Sequence, residues 1–392
     1  MIPRTLSTKI IELSQKLPVI ALLGPRQSGK TTLAKAIFPN HTYVSLEDFD
    51  ILRSALNEPR VFLNSFPNEH GIIIDEAQNA PELFSYIQRI VDEKKVYGYF
   101  ILTGSQNFLL NEMITQTLAG RIALFTLLPL SQSELQLSNY LASDSNGAMF
   151  LGSYPRIFDE NISPIDWYPA YIRTYLERDV RLMKNVGDLS TFQHFLKLCA
   201  ARIGQLVNLT SLSNDCGITA NTAKAWLSIL EASYIVFQLQ PHHANFSKRL
   251  IKSSKIYFYD TGLACALLDI DSPEQLDRHY LKGGLFECYI ISEIMKTYYN
   301  VGRMPRCYFW RDKTGNEVDC ILEKGIALTP IEIKAGQTIN SDFFKGLLYW
   351  DSLANADPRN NILIYGGTRP QEKPTGHILG WNNFTDHIKT LI

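Results

Sequence analysis

The chain has 392 residues, which at about 150 residues per domain corresponds to two or three domains. Apolar residues make up 45% and charged residues 20%, and 38 basic against 39 acidic side chains leave a formal net charge of -1. That balance excludes a whole-chain polycation and leaves only locally basic surfaces for contact with polyanions.

The N-terminal stretch MIPRTLSTKIIELSQK lacks an apolar h-region, and no run of 18 apolar residues follows, so neither a secretory signal nor a membrane span is expected. The chain reads as soluble and cytoplasmic. Its first informative element is the apolar run Pro18 to Leu23, ended by Gly24-Pro25-Arg26-Gln27-Ser28-Gly29-Lys30-Thr31-Thr32. This is G-x-x-x-x-G-K-[ST] between a strand pattern and a helix pattern. The two glycines let the backbone wrap a phosphate with its N–H groups turned inward, and the helix opening at Lys30 adds its positive end. Lys30 is expected to reach the β- and γ-phosphates of ATP, and Thr31 to bind Mg²⁺ through its hydroxyl.

Gly71-Ile72-Ile73-Ile74-Asp75-Glu76 is a buried-strand pattern ending in two carboxylates, placed where parallel sheets bind ligands. Asp75 suits the Mg²⁺ shell and Glu76 suits polarisation of the attacking water, although a helix cap at Asp75 is the simpler alternative. The next buried strand, Tyr99 to Leu102, ends in Thr103-Gly104-Ser105-Gln106, where Thr103 or Ser105 could touch the γ-phosphate or the water. Arg121, ahead of the apolar strand Ile122 to Leu127, could supply positive charge to a γ-phosphate in its own subunit or a neighbour's. A solvated surface arginine fits the same sequence.

The set GPRQSGKT, IIIDEAQ, LTGSQNF and LAGR, followed by LLPLS, resembles the AAA+ superfamily ATPases of bacteria and archaea. In particular it resembles the group whose C-terminal half is a domain of unknown function (DUF4143) with a nuclease-like core. The resemblance covers nearly the whole chain. It implies an α/β fold with a P-loop parallel-sheet domain, with Lys30 and Thr31 as Walker A and Asp75 and Glu76 as Walker B. It also implies sensor 1 at the polar end of the Tyr99 to Leu102 strand, with Ser105 and Thr103 as candidates, and homo-oligomers in which a neighbouring subunit completes each site. The corresponding divisions are an ATPase core over 1–135, a helical linker or lid over 136–188, a winged helix-turn-helix over 189–260 and a nuclease-like domain over 261–392.

Residues 138–147 are polar and turn-rich, as a loop or hinge would be. Gly152-Ser153-Tyr154-Pro155 resembles a turn of the same family. Trp167 to Lys184 reads as one helix, with an apolar face from Tyr168 to Val180 and Arg173, Arg178, Arg181 and Lys184 opposite. Over 189–258 the pattern is helix, helix, a turn at Cys216-Gly217-Ile218, helix, then two strands, resembling a winged helix-turn-helix. Lys248, Arg249, Lys252 and Lys255 make a basic stretch suited to DNA phosphates. The third helix exposes only Lys224 as a cation, however, and winged helices also dock proteins.

Glu287 lies in an apolar helix pattern. It is followed by a strand (Cys307 to Arg311), a tight turn (Asp312 to Asn316), a returning strand (Glu317 to Leu322) and Pro330-Ile331-Glu332-Ile333-Lys334. Alternation puts Glu317 with Asp319, and Glu332 with Lys334, on shared faces. Adjacent strands could then gather Asp319, Glu332 and Lys334, with Glu287 approaching from the helix. Two carboxylates suit Mg²⁺ or Mn²⁺, and a lysine beside them can position water or neutralise developing phosphate charge. The order is similar to the PD-(D/E)xK phosphodiesterase core, active or retained for binding. Six cysteines without a C-x-x-C spacing read as buried reduced thiols. Taken together, these patterns lead us to expect an ATPase that acts on or binds DNA through its C-terminal half. The alternative is a nucleotide-gated switch that binds a partner protein there without nuclease activity.

Overall fold

The computed structural model describes residues 2–66, 68–94, 96–105, 117–176, 189–242 and 252–392. Lys248 and Arg249, and the expected basic face at Arg178, Arg181 and Lys184, lie outside the described residues. The chain divides into two compact units. One holds the residues up to Leu130 with Ala232–Tyr234 and Tyr299–Arg303; the other holds Ser131–Glu231, Ile235–Tyr298 and Met304–Ile392. No helix among the described residues is long and apolar enough to cross a membrane.

The first unit is built on five strands: β1 (Val19–Leu23), β2 (Thr42–Ser45), β3 (Ile72–Asp75), β4 (Phe100–Gly104) and β5 (Ile122–Thr126). They form one parallel sheet in the order β2-β3-β4-β1-β5. Every residue of β1 is buried, as an unbroken apolar run requires when helices cover both faces of a sheet. Leu6, Ile10, Leu33 and Ala34, from the segment entering helix Ser7–Ser14 and from helix Lys30–Ile37, pack on Ile20, Leu22, Ile73, Ile101 and Phe125. Because the strands are parallel, the chain leaves β1, β3 and β4 at the same edge. That edge carries the glycine-rich loop, Asp75 and Glu76, and Thr103 to Ser105.

In the second unit the expected loop 138–147 ends earlier than its composition suggested. Asp144 accepts a hydrogen bond from the Gly147 N–H at 2.8 Å and caps a helix, Ser145–Leu151. Of the helix expected over 167–184, residues 167–176 are described, and residues 177–184 lie outside the described residues. A regular helix runs over Pro164–Tyr171 and passes into a π-helical turn, Ile172–Leu176. Pro169 lies inside that helix and has no N–H to give to the preceding turn, which loosens the α-register just before the change.

Helices Leu189–Ala200, Leu209–Cys216 and Ala220–Ala232 follow, then β6 (Val236–Leu239) and β7 (Lys255–Phe258), paired antiparallel. Trp226 packs edge-on against Phe192 and Phe195 at 5.3 and 5.4 Å, and Gly217 takes the left-handed conformation that turns the second helix towards the third. A six-stranded mixed sheet completes the unit. It comprises β8 (Cys307–Arg311), β9 (Glu317–Lys324), β10 (Ala327–Lys334), β11 (Ile362–Tyr365), β12 (Gln371–Lys373) and β13 (Gly376–Gly380), in the order β12-β13-β11-β10-β9-β8. Trp310, Ile321, Leu347, Trp350 and Leu363 form its core. All six cysteines are free; five are buried, and Cys216 is half-buried at a helix end.

Candidate functional site

At the carboxyl edge of the parallel sheet, the loop from Gly24 to Gly29 is shaped by backbone that other residues tolerate poorly. Gly24 has φ +146°, and a Cβ there would collide with the Leu127 carbonyl oxygen. Lys30 is buried, and its ammonium donates to the carbonyls of Gly24 at 3.0 Å and Pro25 at 2.8 Å, which holds the charge against the loop. Thr31 donates its hydroxyl to both oxygens of Asp75, at 3.1 and 2.9 Å. A neutral hydroxyl beside a carboxylate is a hard-oxygen pair of the kind Mg²⁺ takes, so Thr31 and Asp75 fit the ion that this loop chemistry implies. Bound there, Mg²⁺ would neutralise phosphate charge.

Asp75 also accepts from the Thr103 hydroxyl and from the Tyr43 phenol, the latter at 2.9 Å. Burial, and then the Asp75 charge, push the Tyr43 phenol up to about 12. The Lys35 ammonium lies 3.3 Å from the centre of the Tyr43 ring. Glu76 is nine-tenths buried. Its Oε2 accepts from the Ser105 hydroxyl at 2.9 Å, from the Ser105 N–H at 3.3 Å and from the Gln78 amide. Thr103 and Ser105 therefore each hold one of the two carboxylates. The N-terminal Arg4 braces the loop from below, donating to the carbonyls of Ser28 at 2.7 Å and Leu128 at 2.6 Å.

Arg121 is not part of this cluster. It precedes Ile122, whose strand partner is Val19 at the start of β1, whereas the phosphate loop leaves the other end of β1. At about 3.3 Å per residue that separation is roughly 13 Å. Its guanidinium instead forks onto Asp92, at 2.6 and 3.0 Å. A role for Arg121 within its own chain is thereby corrected, and a role towards a neighbouring copy would require Asp92 to release it.

The second unit holds a denser charge cluster. The antiparallel register Ile331↔Cys320 sets Glu332 opposite Asp319 on adjacent strands. Asp319 accepts from the Ile333 N–H at 2.8 Å, and the Lys334 ammonium bonds Glu332 and lies 3.7 Å from Asp319. Glu287, from helix Lys282–Asn300, comes within 4.8 Å of Glu317 and Asp319. The four residues read from the sequence are thus brought together. Two that were not read there join them: Lys255 pairs with Glu287 at 2.9 Å and with Glu317, and the Tyr257 phenol donates to Glu287. Burial raises Glu287 and Glu332 well above ordinary glutamates. For Lys255, burial pulls downward, but Glu287, Asp319 and Glu317 outweigh it and hold the ammonium charged. Lys255 is 3% exposed, so its place in a phosphate-contacting wing is corrected; Lys252 remains exposed.

Comparison with known proteins gives matches over three segments of the chain. Residues 16–136 match an AAA domain, 143–274 a domain of unknown function (DUF8612), and 282–384 a domain of unknown function (DUF4143). An uncharacterized protein of Mycobacterium bovis, Mb2031c, is 31% identical over 327 residues, spanning 82% of this chain and 71% of the relative. The chain belongs to the AAA-domain proteins with a C-terminal DUF4143 domain. The Mycobacterium tuberculosis protein Rv2008c matches to the same extent. Among solved structures, the Walker-type ATPase PABY2304 of Pyrococcus abyssi is 18% identical with a TM-score of 0.40, over 67% of this chain and 94% of that one. The RuvB branch migration motor of Thermotoga maritima is 18% identical with a TM-score of 0.29, over 59% and 87%.

Within this family member, sequence reasoning missed Tyr43, Gln78 and Arg4 around the loop, and Lys255 and Tyr257 around Glu287. Gln78 was within reach, since it stands two residues after Glu76 in the same motif. The others meet partners distant in sequence that only the folded chain brings near.

Proposed function

We propose that this chain binds ATP with Mg²⁺ and hydrolyses it at the edge formed by Lys30, Thr31, Asp75 and Glu76. The observation that carries this is the paired anchoring of the two carboxylates: Asp75 on the Thr31 hydroxyl, and Glu76 on Ser105. Asp75 and Thr31 would share the metal, and Glu76 would accept a proton from the attacking water. The hydrolytic cycle would act on DNA through the helix-helix-turn-helix and strand pair over 189–258, read as a winged helix, and through the nuclease-like set Asp319, Glu332 and Lys334. Glu332 Oε2 has no hydrogen-bond partner among the described residues, which supports a ligand there, such as Mg²⁺ or Mn²⁺.

Lys255 favours a second function for the C-terminal half. It supplies Glu287 and Glu317 with a tethered cation, and buried carboxylates so neutralised have less to gain from a metal ion. A nucleotide-gated switch that binds a partner protein there, without cleaving DNA, is consistent with that pairing.

One set of assays separates these. Lys30→Ala should abolish tight ATP binding, while Glu76→Gln should keep binding and lose hydrolysis; wild-type turnover in Glu76→Gln would show that another group handles the water. Asp319→Ala should remove any Mg²⁺- or Mn²⁺-dependent DNA cleavage and leave ATP hydrolysis intact. If wild type neither cleaves DNA nor changes its ATPase rate with DNA present, the partner-binding function stands instead.

A further inference from the structure

Hydrolysis at this edge gains from positive charge on the terminal phosphate beyond that of Lys30, and Arg121 is at the wrong end of the sheet within the chain to give it. The geometry points to Arg26 as the arginine that does so in cis, an inference that rests on the ATPase function proposed above. Arg26 is the third residue of the loop between Gly24 and Gly29, so its backbone is part of the phosphate cradle. Its side chain is largely buried, and its Nη1 donates to Glu47 at 3.2 Å, where Glu47 is half-exposed.

Glu47 locates that guanidinium. It stands two residues beyond Ser45, the β2 partner of Asp75, and the Leu46 N–H bonds the Asp75 carbonyl at 3.0 Å. Arg26 is therefore held on the flank of the loop that faces Asp75 and Thr31. Thr31 and Asp75 would hold Mg²⁺ there and supply charge to the terminal phosphates of a bound nucleotide, so this is the flank of the terminal phosphate. The following residue, Gln27, has φ 60°, a left-handed turn in the loop directly after the arginine. A guanidinium offers a planar fork of donors that matches phosphate oxygens, and a carboxylate such as Glu47 is the natural holder of that fork when no phosphate is present.

Arg26 exchanges Glu47 for the γ-phosphate oxygens when ATP binds. In hydrolysis water attacks the γ-phosphorus, the bond from that phosphorus to the β–γ bridging oxygen breaks, and ADP and inorganic phosphate leave. The water proton passes to Glu76. Arg26 forms no covalent bond and gains its interaction as charge develops on the transferred group. Glu47 thus serves as an internal competitor that sets how strongly ATP is preferred over ADP.

The test uses the full chain and reads nucleotide affinity as well as turnover. Arg26→Ala is expected to lower kcat by roughly 10²-fold or more, to leave ADP affinity within about threefold, and to abolish the preference for ATP over ADP measured by displacement of a fluorescent nucleotide. Arg26→Lys should fall between it and wild type. Glu47→Gln, which leaves the loop sequence untouched, should raise ATP affinity relative to ADP. Equal losses for ATP and ADP in Arg26→Ala would mark a scaffold role for the loop and overturn the assignment, as would an unchanged ATP-to-ADP ratio in Glu47→Gln. Wild type that binds no ATP overturns the ATPase function and this inference together; active wild type with active Arg26→Ala overturns Arg26 alone.

Discussion

Glu76 adopts φ 53° and ψ 47°, a left-handed backbone that costs a non-glycine residue on the order of 1 kcal/mol. The turn puts its carboxylate under Ser105 and Gln78, so the strain is offset by hydrogen bonds that aim the group. Glu332 presents a different residue-scale effect. Burial, and then the Asp319 charge, raise it from 4.5 to about 8, outweighing Lys334. A carboxyl raised on folding binds its proton more tightly in the native state than in the unfolded one. Its contribution to stability is therefore complete below about pH 4.5 and is lost as pH rises towards about 8. We predict that urea unfolding of the wild type loses stability across that window relative to Glu332→Gln, which cannot titrate. Parallel pH profiles for the two proteins would show that Glu332 is not shifted in this direction.

At the scale of elements, Lys255 joins β7 to helix Lys282–Asn300 through Glu287 and to β9 through Glu317. Three segments distant in sequence share one buried ammonium. Removing it strands carboxylates that are themselves largely buried, so Lys255→Met should cost about 3 kcal/mol in the unfolding of the second unit. Adding Glu287→Gln should recover a large part of that loss, because Glu317 also has Arg311 at 3.2 Å and Asp319 has Lys334 at 3.7 Å. A double variant no more stable than Lys255→Met would mean that the pair does not neutralise the cluster. The parallel register of β1 with β4 and β5 acts on the same scale: it gathers the loop, Asp75 and Glu76 at one edge and sends Arg121 to the other.

For the whole molecule, the residues proposed to bind ATP lie within one of two compact units, and nucleotide should stabilise that unit selectively. At 100 times its dissociation constant a ligand adds about 2.7 kcal/mol to the species it binds. Amide hydrogen exchange with and without MgATP should slow over β1, β3, β4 and helix Lys30–Ile37. The mixed sheet β8 to β13 should change less unless the two units are energetically coupled. Protection confined to the mixed sheet would place the nucleotide elsewhere.

The phosphate loop, the Asp75-Glu76 pair and the Asp319, Glu332, Lys334 set were legible in the amino-acid order because each depends on short-range geometry. A glycine spacing sets a loop, and alternation along a strand sets which side chains share a face. Even the meeting of Asp319 with Glu332 needed only a strand and its returning neighbour. Tyr43, Arg4 and Lys255 were not legible, nor was the true end of the sheet on which Arg121 falls. Each of these depends on which segments the fold lays side by side, and that follows from crossover connections and the burial of apolar faces between elements distant in sequence. Lys255 carries that point furthest: in the sequence it stands among basic residues as a candidate for phosphate, and the folded chain instead buries it against Glu287 and Glu317, where a charge can exist only beside its opposites.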